Sequence, residues 1–406
     1  LAVQQQRVRG LIAAVALTAC GQVTPEPPPL QGYLRDATAR RAALEASLLR
    51  RDNRYAQRRL RFYESGEAGD WSRLPVWNPP TAAAALDGAP VASPRPLEVP
   101  PEALAGDPEA LRDLGEKAFW GYPAQLAPDA VDRGVRAGEG LTAHGLLTAG
   151  GVRVGVLRVR LPDGELGVAL SCAACHVARR EGAMVPGVAN DALDLGALAA
   201  RDLLAGALSE RLRAWGAGRV DVTTDDGAEP AAIPDLRALR WQSHLHRAGA
   251  VILRDEASLA VRIETLLITS LHAAVRPPRE VSAGLALYLL SLADALPAPR
   301  WDHPGAAVFR ANCARCHAGE GMRGGVIPAE DIGTDDTLAR SLDRGTGGYR
   351  IPSLRGVGAR TWLLHDGSAR GLDALLDPAR ETPGHDPGRS LDSVDRAALL
   401  SFLRAL

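Results

Sequence analysis

Cysteine, methionine and lysine are all scarce in this 406-residue chain. Five cysteines are present, and four of them fall in two short motifs of one type, so no pair is left for a disulfide framework. The two methionines, Met184 and Met322, each lie close behind one of those motifs. Lys117 is the only lysine, which makes the basic charge almost wholly arginine, and a formal net charge of -1 calls for no nucleic-acid partner. The apolar run from Leu11 to Ala19 falls well short of the roughly 20 residues that cross a bilayer.

The motifs are Cys172-Ala-Ala-Cys175-His176 and Cys313-Ala-Arg-Cys316-His317. C-x-x-C-H is the spacing of covalent c-type haem attachment: two thiols bond one edge of the porphyrin and the following imidazole reaches the iron. A zinc half-site or a thiol redox pair shares the cysteine spacing but leaves two adjacent histidines unexplained. Two c-type haems are therefore expected, with His176 and His317 as proximal iron ligands.

The fifth cysteine, Cys20, closes Leu17-Thr-Ala-Cys20 behind a start bearing Arg7 and Arg9. Residues 1–20 read as an export signal whose last residue resembles a lipidated bacterial cysteine, with an ordinary signal as the alternative. Periplasmic location and a lipid anchor to the membrane follow as expectations. Residues 21–30 read as a proline-rich tether that cannot be helical, and residues 34–63 as one or two amphipathic helices, rich in arginine, with a solvated face. Residues 70–101 read as an extended linker.

The expected fold class is mainly α: an irregular and helical N-terminal extension over 21–100, and two cytochrome c-like haem domains, 101–298 and 299–406. The first is predicted to hold helices at 108–120, 197–215, 258–275 and 281–296. Alternating apolar residues on both sides of Pro162-Asp163-Gly164 predict a β-hairpin feeding the first motif. The second runs from a helix around Ala307–Phe309 into Cys313 and closes with an amphipathic helix over Ser393–Leu406. So short a domain lacks apolar side chains for a full core, and a porphyrin supplies the missing apolar surface.

A weak internal repeat links the two. Ile233-Pro-Asp-Leu-Arg237 precedes His246, and Ile351-Pro-Ser-Leu-Arg355 precedes His365, with one extra residue in the second spacing. The second copy, together with Leu364-His365-Asp366-Gly367-Ser368 and Leu372-Asp-Ala-Leu-Leu376, resembles the C-terminal domain of bacterial di-haem cytochrome c peroxidases and their relatives, the cofactor-maturing di-haem enzymes and di-haem rubber oxygenases. The resemblance implies two facing haem domains, one haem passing electrons and the other open to peroxide or oxygen.

The methionine such peroxidases place downstream of His-Asp-Gly is missing. His385 resembles a position used by the oxygenase-like relatives and is the first candidate for the sixth ligand of the second iron, with His365 as the alternative. His246 is favoured by the repeat for the first iron, with His244 and His272 behind it. Glu264 is a candidate acid or base for moving a proton on peroxide, and Trp241 a candidate relay between haems. Three functions stay open: electron transfer with a small redox donor protein or cytochrome as partner, reduction of hydrogen peroxide or activation of oxygen, and a haem lipoprotein without turnover.

Overall fold

A computed structural model describes residues 29–64, 97–127, 141–149, 152–160, 166–201, 203–221, 230–270 and 276–406. The expected signal, Cys20, most of the tether and linker, His272 and the Pro162-Asp163-Gly164 turn lie outside these residues. The chain is mainly helical, with only short strands. Among the described residues no helix is long and apolar enough to cross a membrane.

Helices α1 (Pro29–Arg35), α2 (Ala37–Ser47) and α3 (Arg54–Glu64) form the extension. Proline at the first helical position loses no hydrogen bond, so the helix starts inside the stretch read as a non-helical tether. Nor is the arginine-rich face simply solvated: Arg40 and Arg59 are buried. Arg40 donates to the Tyr33 carbonyl at 2.9 Å, closing the end of α1.

Helix α4 (Pro108–Gly121) begins where Asp107 accepts from the Ala110 amide at 2.8 Å and Pro108 follows it. Leu111, Leu114, Gly115, Ala118 and Phe119 return to one face at helical spacing and are buried. That face meets α6 (Arg279–Ser291), with Gly115 against Gly284 so closely that a Cβ on Gly115 would stand 1.9 Å from the Gly284 carbonyl oxygen. Between them in sequence, α5 (Glu256–Ser270) opens with a reciprocal cap: Asp255 accepts from the Ser258 amide and Ser258 Oγ from the Asp255 amide.

The strands Val156–Arg160 and Leu166–Leu170 pair antiparallel, with Gln125–Leu126 adding to the far edge. The predicted helix over 197–215 is instead two short ones, Leu195–Ala200 and Ala207–Arg213, with Gly206 in extended backbone between them. Glycine's conformational freedom makes it a poor residue for continuing a helix.

The second unit starts with α7 (Pro304–Asn312) and ends with α8 (Ser393–Arg404). His303 caps the first through Nδ1, and Asp392 caps the second by accepting from Val394 and Asp395 amides at 2.9 Å. The two cross at Phe309 and Phe402, whose rings lie 5.5 Å apart, with Trp301 against both.

Candidate haem sites

In the second unit the end of α7 winds on into the motif, so that the His317 amide bonds the Cys313 carbonyl at 3.0 Å and Cys316 that of Cys313 at 3.1 Å. This tight turn presents Cys313, Cys316 and His317 to one cavity of about 280 Å³. His317 Nδ1 lies 3.1 Å from the Pro352 carbonyl oxygen and 3.3 Å from that of Met322. A carbonyl only accepts, so Nδ1 carries the proton and Nε2 keeps its lone pair for a metal. Burial, with His385 next, lowers the His317 pKa to about 4, which holds the ring neutral as a ligand must be.

Across the cavity stands His385, its ring centroid 6.4 Å from that of His317. A metal–imidazole bond of about 2 Å on each side plus two ring radii comes to roughly 6 Å, so the two rings are spaced as ligands of one metal would be. Leu354, Leu363, Leu372, Leu376 and Leu399 make an apolar wall, while Arg350 and Arg360 bring half-buried cations to it. Two thiols beside an imidazole, an apolar slot and cations for carboxylates are what a covalent haem requires. His365 lines the same cavity and stacks on Tyr349 at 4.1 Å. Met322 is buried in the helical core of the unit, and what it offers His317 is its carbonyl.

The first motif forms the short helix Cys172–His176, capped by Ser171, whose hydroxyl also donates to the Trp120 carbonyl. His176 Nδ1 lies 3.1 Å from the Pro234 carbonyl oxygen. Pro234 and Pro352 are the same residue of the two Ile-Pro-x-Leu-Arg copies, so both histidines are oriented alike. Burial lowers the His176 pKa to about 4 and raises the thiols of Cys172 to about 11 and Cys175 to about 12. Zinc would need about four donors; among the described residues no three His, Cys, Asp or Glu side chains gather for a metal.

Residues 302–360 match the family model described as cytochrome C oxidase, cbb3-type, subunit III. They form a c-type cytochrome domain. Such a domain implies haem c with iron and a role in electron transfer. No curated protein and no solved structure matches the chain.

From the Ile-Pro-x-Leu-Arg copies onward the two units repeat with one spacing, 118 residues, the separation of Arg247 from the His365 carbonyl it bonds. The 3₁₀ turns Leu239–Trp241 and Val357–Ala359 correspond, as do the strands His244–Leu245 and Trp362–Leu363, and the left-handed residues His246 and Leu364. His365 lies one residue past the position that corresponds to His246. His246 therefore matches Leu364, and Arg247 matches His365.

Two expected site residues are corrected by their surroundings. His246 Nε2 is taken by Arg262, whose Nε and Nη2 lie 3.2 and 2.9 Å away, so that nitrogen is not offered to iron. Glu264, the candidate proton carrier, is fully buried, paired with Arg276 at 2.9 Å and accepting from the hydroxyls of Tyr33 and Tyr63 at 3.1 and 3.0 Å. It joins the extension to α5. Trp241 lies where the units meet, under the Arg355 guanidinium at 4.0 Å and against Gly321 of the cytochrome domain. Gln242 beside it accepts from the Ser353 amide at 3.2 Å. The proline carbonyls and the cavity arginines escaped sequence reasoning; the repeated Ile-Pro-x-Leu-Arg was the signal for the former.

Proposed function

We propose that the chain is a di-haem c-type cytochrome that moves electrons between a small redox donor protein and an acceptor, exported and held at the periplasmic membrane face through Cys20. The observation that carries the reading is the recurrence of one arrangement: a C-x-x-C-H imidazole oriented by the proline carbonyl of an Ile-Pro-x-Leu-Arg copy, at His176 with Pro234 and at His317 with Pro352. Haem c, when attached, supplies a one-electron iron couple.

Around it the chain's residues have separate tasks. Cys172 with Cys175, and Cys313 with Cys316, anchor a macrocycle at each unit. His317 and His385 would hold the second iron, an arrangement that suits electron transfer. Arg350 and Arg360 face the carboxylates of that group. Trp241, stacked on Arg355 between the units, bridges them for electron passage.

A second reading, reduction of peroxide or activation of oxygen at the first unit, is favoured by the engagement of His246 with Arg262, which leaves that iron without this sixth ligand. Electron paramagnetic resonance of the oxidised and half-reduced protein decides between them. Two low-spin signals indifferent to peroxide support the carrier. A high-spin signal consumed by peroxide supports the enzyme. His385→Ala should turn the second haem high-spin, and an unchanged spectrum rejects His385 as its ligand.

A further inference from the structure

Arg59, on α3, is 7% exposed. Among the described residues its guanidinium rests on the Tyr55 ring, 3.4 Å from the centroid, and its Nε is buried without a hydrogen-bond partner. Tyr55 in turn meets His246 edge-on, ring centroids 4.9 Å apart, and His246 is bonded to Arg262. Because His246 Nε2 accepts from Arg262, the proton of the neutral ring sits on Nδ1. That Nδ1 is buried without a partner, and so is Arg262 Nη1.

Among the described residues, three N–H donors from three separate segments are thus unsatisfied within one chain of contacts. Burial, then Arg262, Arg59, Arg344 and Arg350, hold His246 in its neutral form. Burial lowers the Arg59 pKa to about 9, with Tyr55 opposing and Arg262, Arg344 and Arg58 adding to the fall. The acid that reaches the cluster is Asp221, 3.5 Å from Arg344, and it does not figure among the groups acting on Arg59 or His246. A buried guanidinium with no acceptor is costly, and the cost is removed by a group that brings negative charge and lone pairs.

We propose that Arg59, Arg262 and His246 form a buried anion site that takes a carboxylate. Two sources share that chemistry: a propionate of the haem attached at Cys172 and Cys175, or a free small carboxylate. The repeat bears on the first source, because the counterpart of His246 is Leu364, which lines the haem cavity of the cytochrome domain. The propionate form rests on the two-haem reading; the free-anion form does not.

The test uses full-length holoprotein as wild type, Arg59→Gln and Arg59→Lys, with covalent haem content measured first. Each is titrated calorimetrically with sodium formate at low ionic strength, and each haem's midpoint potential is followed against pH. A propionate occupant predicts no formate binding, and in Arg59→Gln an upward shift of about one pH unit in the pH dependence of one haem only. A free-anion site predicts stoichiometric formate binding that weakens about tenfold or more in Arg59→Gln, with potentials unmoved. Arg59→Lys keeps the charge and loses the planar fork, so it shows the same change in smaller degree and serves if the glutamine variant does not fold. If neither readout moves in a folded variant, the site does not exist. A wild type carrying a single haem defeats the two-haem reading, while the formate titration still decides the site.

Discussion

Removing the Glu264 carboxylate separates a structural role from a catalytic one. The side chain is wholly buried, and its two oxygens serve Arg276 at 2.9 Å and two tyrosine hydroxyls at 3.0 and 3.1 Å. Glu264→Ala leaves an arginine that is 11% exposed without its ion partner. Breaking one side of such a pair costs about 4 kcal/mol, because the remaining charge stays buried and unpaired. Glu264→Gln keeps an oxygen at the Oε2 position for both tyrosines and loses the charge that pairs with Arg276, so its cost is smaller, about 2 kcal/mol. Urea unfolding followed by far-ultraviolet circular dichroism should order the proteins wild type, Gln, Ala, with the early part of the transition most affected, because Tyr33 and Tyr63 belong to the extension. The haem spectra should be unaltered in the folded variants. Unchanged stability together with lost peroxide turnover would refute this reasoning and return Glu264 to the reaction.

Gly115→Ala should destabilise by about 2 kcal/mol in the same unfolding assay: the helix gains about 1 kcal/mol of propensity, but a Cβ 1.9 Å from a backbone oxygen forces α4 and α6 apart. A variant as stable as wild type would mean the helices are not in that contact. Burial, followed by Arg323 and Arg350, lowers the His244 pKa, so below about pH 6.5 the unfolded chain takes up the proton first. Stability should therefore fall as pH drops below that value, and His244→Gln should flatten this acid limb; an equally steep limb would assign it to other groups. Replacing all four of Cys172, Cys175, Cys313 and Cys316 by Ser should abolish the haem stain that survives a denaturing gel, and a persistent stain would mean the thiols do not hold haem.

Much of the helical frame was legible because its signals are local. Asp107-Pro108 starts α4 as a capping aspartate and proline should, and Asp392 does the same for α8. The C-x-x-C-H turns need only neighbouring residues. Where distant residues decide, sequence reasoning went astray. Glu264 reads as a candidate acid or base, since nothing near it in sequence reveals that Tyr33 and Tyr63 arrive from some two hundred residues upstream. His246 was matched to His365 because both are histidines, whereas the backbone pairs it with Leu364 through their shared left-handed conformation. Side-chain identity misled there, and chain geometry set the register.

The N-terminal helices fasten themselves to both halves of the protein. Tyr33 bonds Glu264, Leu48 bridges Val251, and the Asn53 side chain and Tyr55 amide hold Gly345 and Asp343. Every one of those partners lies some two hundred residues or more further along the chain. Contacts of such long sequence separation form slowly. The latch therefore shuts after the local turns and helices it spans have formed.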